Sequence, residues 1–84
     1  MPKEKRHMTA QLKAMMYCVA ENLKLHRRRL GYSQQYIADY LSVDRTTYTK
    51  YETGVSQMDY EKMVKLANLF SIDFNDLLCY EKIH

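Results

Sequence analysis

Between Asp44 and Gly54 the chain reads DRTTYTKYETG. Wound as a helix at about 100° per residue, this stretch puts Arg45, Thr46, Thr49 and Lys50 on one side and Tyr48 and Tyr51, with Thr47 beside them, on the other. The first side carries two cations, two hydroxyls and no acid. Such a set offers positive charge and hydrogen-bond donors, which suits an anionic, hydrogen-bonding partner. An isolated amphipathic helix shows the same stripe as an ordinary solvated face, so the stripe alone leaves both possibilities standing.

Other chemistry has little to stand on. There is no HExxH pair, no nucleophile elbow and no Cys/His spacing suited to a metal, and two glycines cannot build a phosphate-cradling loop. His7, His26 and His84 are far apart in sequence and lack an acid or nucleophile at motif spacing. No enzyme, no cofactor and no metal site is therefore expected. Cys18 and Cys79 show no CxxC spacing and read as reduced thiols, with a bridge between them as the alternative. No run approaches the roughly 18 apolar residues of a membrane span, so a cytoplasmic protein is expected.

The stripe needs elements to hold it. Ser33 is a good N-cap, and Ile37, Ala38 and Leu41 follow at helical spacing, predicting a helix of about two turns. Ser42-Val43-Asp44 interrupts it, because Ser and Asp favour turns and caps over helix interiors. Asp44 caps the second helix, and Gly54 supplies a left-handed stop. Ser33–Gly54 thus reads as two short helices joined by a tight turn.

Upstream, Thr9 can cap a helix running to about Leu30, with Leu12, Met16, Val19, Leu23 and Leu30 on one apolar face and His26 in the intervening slot. His26 there reads as a packed histidine rather than a ligand. Arg27-Arg28-Arg29 suits the negative end of the helix dipole. Downstream, Asp59 can cap a helix to about Phe70, with Tyr60, Met63, Val64, Ala67 and Phe70 on one side. Asp73 can cap a last short helix rich in apolar residues, Phe74, Leu77, Leu78 and Tyr80. Residues 1–8 lack apolar periodicity and read as a flexible basic arm before one domain, 9–84. Residues 1–53 hold ten Lys/Arg against five Asp/Glu, and residues 54–84 three against five. The basic excess lies with the two-helix stretch, which favours a polyanion there.

The order and spacing of LHRRRLGYSQ, IADYLSVDRTTYTKYETG and MVKLANLFSIDFNDLL resemble the helix-turn-helix domains of phage repressors, Cro-like proteins and their bacterial relatives, the xenobiotic-response-element family. The resemblance runs from about Val19 to Leu78. It implies an all-α, compact five-helix repressor-like domain, here with an N-terminally extended first helix, and a helix-turn-helix at 33–54. It also implies residue roles. Gln34 matches a glutamine that binds a DNA phosphate and buttresses the reading helix. Arg27 and Glu52 match a structural ion pair. Arg45, Thr46, Thr49 and Lys50 match the base-facing stripe. Tyr36, Thr53 and Ser56 are candidates for phosphate contact, the last two in a turn whose backbone N–H groups approach the DNA.

Three positions depart from the family's pattern: Ser42 stands at a usual turn glycine, Met58 at a usual proline, and His26 at a usual leucine. The resemblance implies a sequence-specific regulator of transcription from double-stranded DNA, most simply a homodimeric repressor of phage or mobile-element type reading a palindrome through the major groove. Phe74, Leu77 and Leu78 are the leading dimer surface, the Met-rich start of the first helix the second. No membrane partner and no domain for a small-molecule ligand are expected. An antitoxin-like protein-interaction module on the same fold is the alternative.

Overall fold

The computed structural model describes residues 10–78. Five α-helices make up the fold of these residues: α1 (Ala10–Arg29), α2 (Gln34–Leu41), α3 (Arg45–Thr53), α4 (Tyr60–Phe70) and α5 (Phe74–Leu78). None is long and apolar enough to cross a membrane. The expected arm, residues 1–8, lies outside the described residues.

The boundaries follow from caps. Ser33, Asp44 and Asp59 hold extended backbone and accept a hydrogen bond from the N–H three residues on, Tyr36, Thr47 and Lys62 respectively. Four helices close on a left-handed residue, and two of these are glycine, Gly31 (φ 79°) serving α1. Ser42 (φ 61°), Gly54 (φ 79°) and Ser71 (φ 60°) close α2, α3 and α4. Where the family usually has glycine, Ser42 takes the left-handed form itself. Its N–H and that of Val43 both bond the Ala38 carbonyl, which completes the turn.

Leu23, Ile37, Ala38, Leu41, Tyr48, Met58, Leu66, Phe70 and Leu77 form the core, with Val19, Tyr32, Val43, Tyr51, Met63, Leu69 and Ile72 packed around it. α3 lies against both α1 and α2, and α5 against α1 and α4. Met58, at the usual proline position, is buried and serves as a core side chain.

Four expectations change. Leu30 is 39 % exposed, although its N–H still makes the helical bond to the His26 carbonyl at 3.1 Å. Tyr60 is 69 % exposed and packs edge-on with the α5 Phe74 ring, centroids 5.1 Å apart. Of the face expected for α4, Ala67 and Phe70 are buried and Met63 and Val64 half-buried, and Leu66 joins them in place of Tyr60. Cys18 is disulfide-bonded rather than a reduced thiol. Cys79 lies outside the described residues. One turn after Cys18, the Asn22 side chain donates to the Asp76 and Leu77 carbonyls at 2.9 and 3.3 Å, so the end of α5 is held beside this part of α1.

The arginine run divides its work. Arg27 enters the interior network described below, and Arg28 is exposed. Arg29 donates to the Phe70 carbonyl at 3.2 Å and to His26 Nδ1 at 3.3 Å. His26 stacks on Phe70 with centroids 5.6 Å apart. Burial and the neighbouring Arg29 charge push the His26 pKa down, against an opposing pull from Asp76. His26 is thus a packed, neutral histidine acting as an acceptor.

Candidate nucleic-acid interface

The nine residues of α3 carry two very different faces. Inward, Tyr48 and Glu52 are 0 % and 2 % exposed. Outward, Arg45, Thr46, Lys50 and Thr53 are exposed and Thr49 is half-buried. The stripe expected from helical spacing therefore lies on the open side.

A buried carboxylate organises the inner face. Glu52 Oε2 accepts from Arg27 Nε at 2.6 Å and from the Tyr48 hydroxyl. Glu52 Oε1 accepts from Arg27 Nη2 at 3.2 Å and from Gln34 Nε2 at 3.0 Å. Burial alone would raise the Glu52 pKa; the bonds from Arg27, Tyr48 and Gln34 outweigh it and hold the carboxyl below the usual carboxylate range. Burial, and then the bond to Glu52, push Tyr48 far above an ordinary phenol, so it stays a donor. Arg27, raised mainly by its bond to Glu52, also donates through Nη1 to the Tyr32 carbonyl at 3.0 Å. One ion pair thereby ties α1, α3 and the α1–α2 connection together.

Gln34 carries this order to the surface. Its nitrogen is committed to Glu52, so its oxygen faces the other way. There it accepts from Arg45 Nε and Nη2, both at 3.3 Å, and lies 3.5 Å from Thr49 Oγ1. The Thr49 hydroxyl is itself donated to the Arg45 carbonyl at 2.9 Å. Gln34, Arg45 and Thr49 thus form one patch, with Thr46 and Lys50 on the same exposed side. The bond from Gln34 to Glu52 spans eighteen residues and carries no spacing signal, whereas Tyr48 and Glu52 stand at i,i+4 on α3, a helical spacing the sequence does show.

The remaining candidates sit around this patch. Tyr36, in the first turn of α2, is 49 % exposed and stacks on Tyr32 with centroids 4.7 Å apart. Thr53 ends α3, and Ser56 follows in the next turn. The N–H groups of Gly54, Val55 and Ser56 all point back to the Lys50 carbonyl, and the Thr53 hydroxyl donates there at 3.3 Å. These backbone donors satisfy the end of α3. In α5, Phe74 and Leu78 are half-buried but Leu77 is fully buried. Leu77 anchors α5 to the core and has no surface for a second copy. Among the described residues no cluster of His, Cys, Asp or Glu could hold a metal ion.

The sequence pattern defining a family described as helix-turn-helix matches residues 23–77. The chain belongs to this helix-turn-helix family. Among its relatives, an uncharacterized SPbeta prophage-derived HTH-type transcriptional regulator of Bacillus subtilis, YonR, is 41 % identical over 58 residues, covering 69 % of this chain and 54 % of the relative. An uncharacterized HTH-type transcriptional regulator of the same organism, YqaE, is 36 % identical over 59 residues, covering 70 % and 51 %. The cryptic phage CTXphi transcriptional repressor RstR of Vibrio cholerae is 30 % identical over 59 residues, covering 70 % and 53 %. The chain spans about half the length of the curated relatives it matches. No solved structure gives a significant match. The helix-turn-helix match begins inside α1, at Leu23, so the first thirteen residues of that helix, 10–22, precede it.

Proposed function

We propose that this helix-turn-helix protein is a sequence-specific, double-stranded-DNA-binding regulator of transcription, acting as a homodimeric repressor on a palindromic operator of a phage or other mobile element. The observation that carries this is the acid-free stripe of α3, braced from behind by the buried Glu52 and laterally by Gln34. A helix held this firmly presents its donors to the major groove at little ordering cost. The names of the relatives, several of them regulators and one a phage repressor, support the same reading.

The side chains divide the reading. Arg45 is the principal base donor, matching guanine O6 and N7. Thr49 has its hydroxyl engaged, so it turns a methyl group and lone pairs outward and suits a thymine methyl. Thr46 reads a neighbouring edge. Lys50 serves either a base or a phosphate. Tyr36 and Ser56 hold backbone phosphates through their hydroxyls, and Gln34 through the second hydrogen of its amide nitrogen, which fixes position rather than sequence, while the Thr53 hydroxyl is given to the Lys50 carbonyl. A single such helix reads few bases, so pairing of two copies about 34 Å apart on one face of DNA completes the site. Phe74 and Leu78, with the Met-rich start of α1, supply the contact between copies.

Selection of bound sequences from random DNA tests this in one experiment. A palindrome with half-sites one turn apart is expected, and Arg45→Ala should cost about 1–3 kcal/mol and relax preference at one position per half-site. If the Arg45→Ala, Lys50→Ala double variant keeps affinity and preference, the stripe does not read DNA. A chain that copurifies with a protein partner at fixed ratio and has no salt-sensitive DNA affinity is an interaction module instead.

A further inference from the structure

The helix-turn-helix match leaves the first half of α1 without a role, yet this half lies against the end of the candidate reading helix. A Cβ placed on Gly54 would be 3.9 Å from the Ala20 Cβ, the Met16 carbonyl and the Tyr17 Cα, so the turn lies about one methyl group from α1. Lys13, Met16 and Tyr17 share one open cleft with Thr53, Gly54 and Val55. Lys13 is exposed and Tyr17 is 64 % exposed. No acid lines the cleft, and no ion pair of Lys13 occurs among the described residues.

The chemistry fits an anion. The backbone donors of the 54–56 turn are spent on the Lys50 carbonyl, so the turn itself has little to offer one. A cation must come from elsewhere, and Lys13 is placed to supply it. The position fits as well. A nine-residue helix is about 13 Å long, close to the ~12 Å width of the major groove. Residues at its C-terminal end therefore meet a strand bounding the groove, beyond the bases that Arg45 and Thr49 reach.

We propose that Lys13 and Tyr17, across the cleft from Thr53, bind a DNA backbone phosphate flanking the half-site, so that the α1 extension lengthens the footprint without adding sequence information. This rests on the DNA-binding function proposed above. The site is a phosphate clamp, with Lys13 supplying charge and the Tyr17 hydroxyl supplying a hydrogen bond, beside a Thr53 whose own hydroxyl is given to the Lys50 carbonyl.

The test compares the full chain with Lys13→Gln, Lys13→Arg and Tyr17→Phe on the selected operator, in a long duplex and in one shortened stepwise at its ends. Lys13→Gln should weaken binding to all sequences alike and lower the slope of log affinity against log salt by about 0.9 per bound chain. Between 50 and 200 mM salt the wild type should therefore lose about 3.5-fold more affinity per chain than this variant. Lys13→Arg should keep the slope, and Tyr17→Phe should weaken binding with the slope unchanged. Shortening the duplex past the flanking phosphate should make wild type and Lys13→Gln equal. An unchanged slope and affinity for Lys13→Gln on the long duplex would overturn the clamp. So would a change in oligomeric state, which would make the cleft a protein–protein surface. Absence of any sequence preference in the wild type would instead remove the underlying function, whatever Lys13 does.

Discussion

Gln34 Nε2 donates to Glu52 Oε1 at 3.0 Å, and this one bond fixes which way the Gln34 amide points. Because a carboxylate accepts only, the amide nitrogen must face Glu52 and the oxygen must face Arg45. The interior acid thereby sets the orientation of the outermost cation, eleven residues away from its glutamine partner in sequence. Two functions that look separate in the sequence, a structural ion pair and a surface stripe, share one hydrogen-bond chain.

Gln34→Ala should therefore do two things at once. Glu52 loses one donor, at a cost of about 1 kcal/mol in stability. Arg45 loses its support, so discrimination at its base position should weaken even though Arg45 is untouched. A double-mutant cycle of Gln34→Ala with Arg45→Ala on operator DNA should give a coupling of about 0.5–3 kcal/mol; strict additivity would mean that the two side chains act independently.

Removing one member of the ion pair should be severe. Arg27→Ala leaves Glu52 buried with its main cationic partner gone, and a loss of about 3–5 kcal/mol is expected from urea unfolding. Replacing both residues by methionine should recover much of that loss, since neither charge is then stranded.

Acid should unfold the protein in two stages. The folded-state pKa of His26 lies below its usual 6.5, so the unfolded chain binds more protons in that range. Its stabilisation is full above the unfolded value and declines as pH falls from about 6.5 towards the depressed folded value. Glu52 behaves likewise from its usual 4.5 downward, and its loss should accompany collapse of the Arg27 network. Thermal melts as a function of pH should show both stages, and His26→Phe should abolish the upper one alone.

Ser42→Gly should stabilise the fold. A left-handed L-residue costs roughly 1–2 kcal/mol, part of which glycine gives back through its freer unfolded chain. A net gain of about 0.5–1 kcal/mol, or a few degrees in Tm, is the expected result. A loss would show that the serine hydroxyl makes a compensating bond.

Neighbouring leucines of α5 should separate folding from assembly. Leu77→Ala empties a fully buried site and should cost about 2–5 kcal/mol. Leu78→Asp should leave the fold largely intact and raise the dimer dissociation constant, read by sedimentation. If it leaves assembly unchanged, the start of α1 becomes the surface to test.

The sequence by itself determined the helices and their ends, because caps and stops act within a few residues. Ser33, Asp44, Asp59 and Gly54 each work on their own neighbours, and the α3 stripe follows from helical spacing alone. Tertiary structure decided what local rules cannot carry. Leu66 rather than Tyr60 is buried in α4, since the angle at which a helix meets the core rotates its buried stripe. Ser42 accepts a backbone form that its own chemistry disfavours, because Val43 and the α2–α3 packing demand it. The Asn22 bonds to the Asp76 and Leu77 carbonyls need α5 folded back on α1, which no spacing announces. The path from Glu52 through Gln34 to Arg45 exists only once α2 and α3 are packed together. Hydrogen-bond partners far apart in the chain are chosen by packing, and packing is settled by the whole core at once.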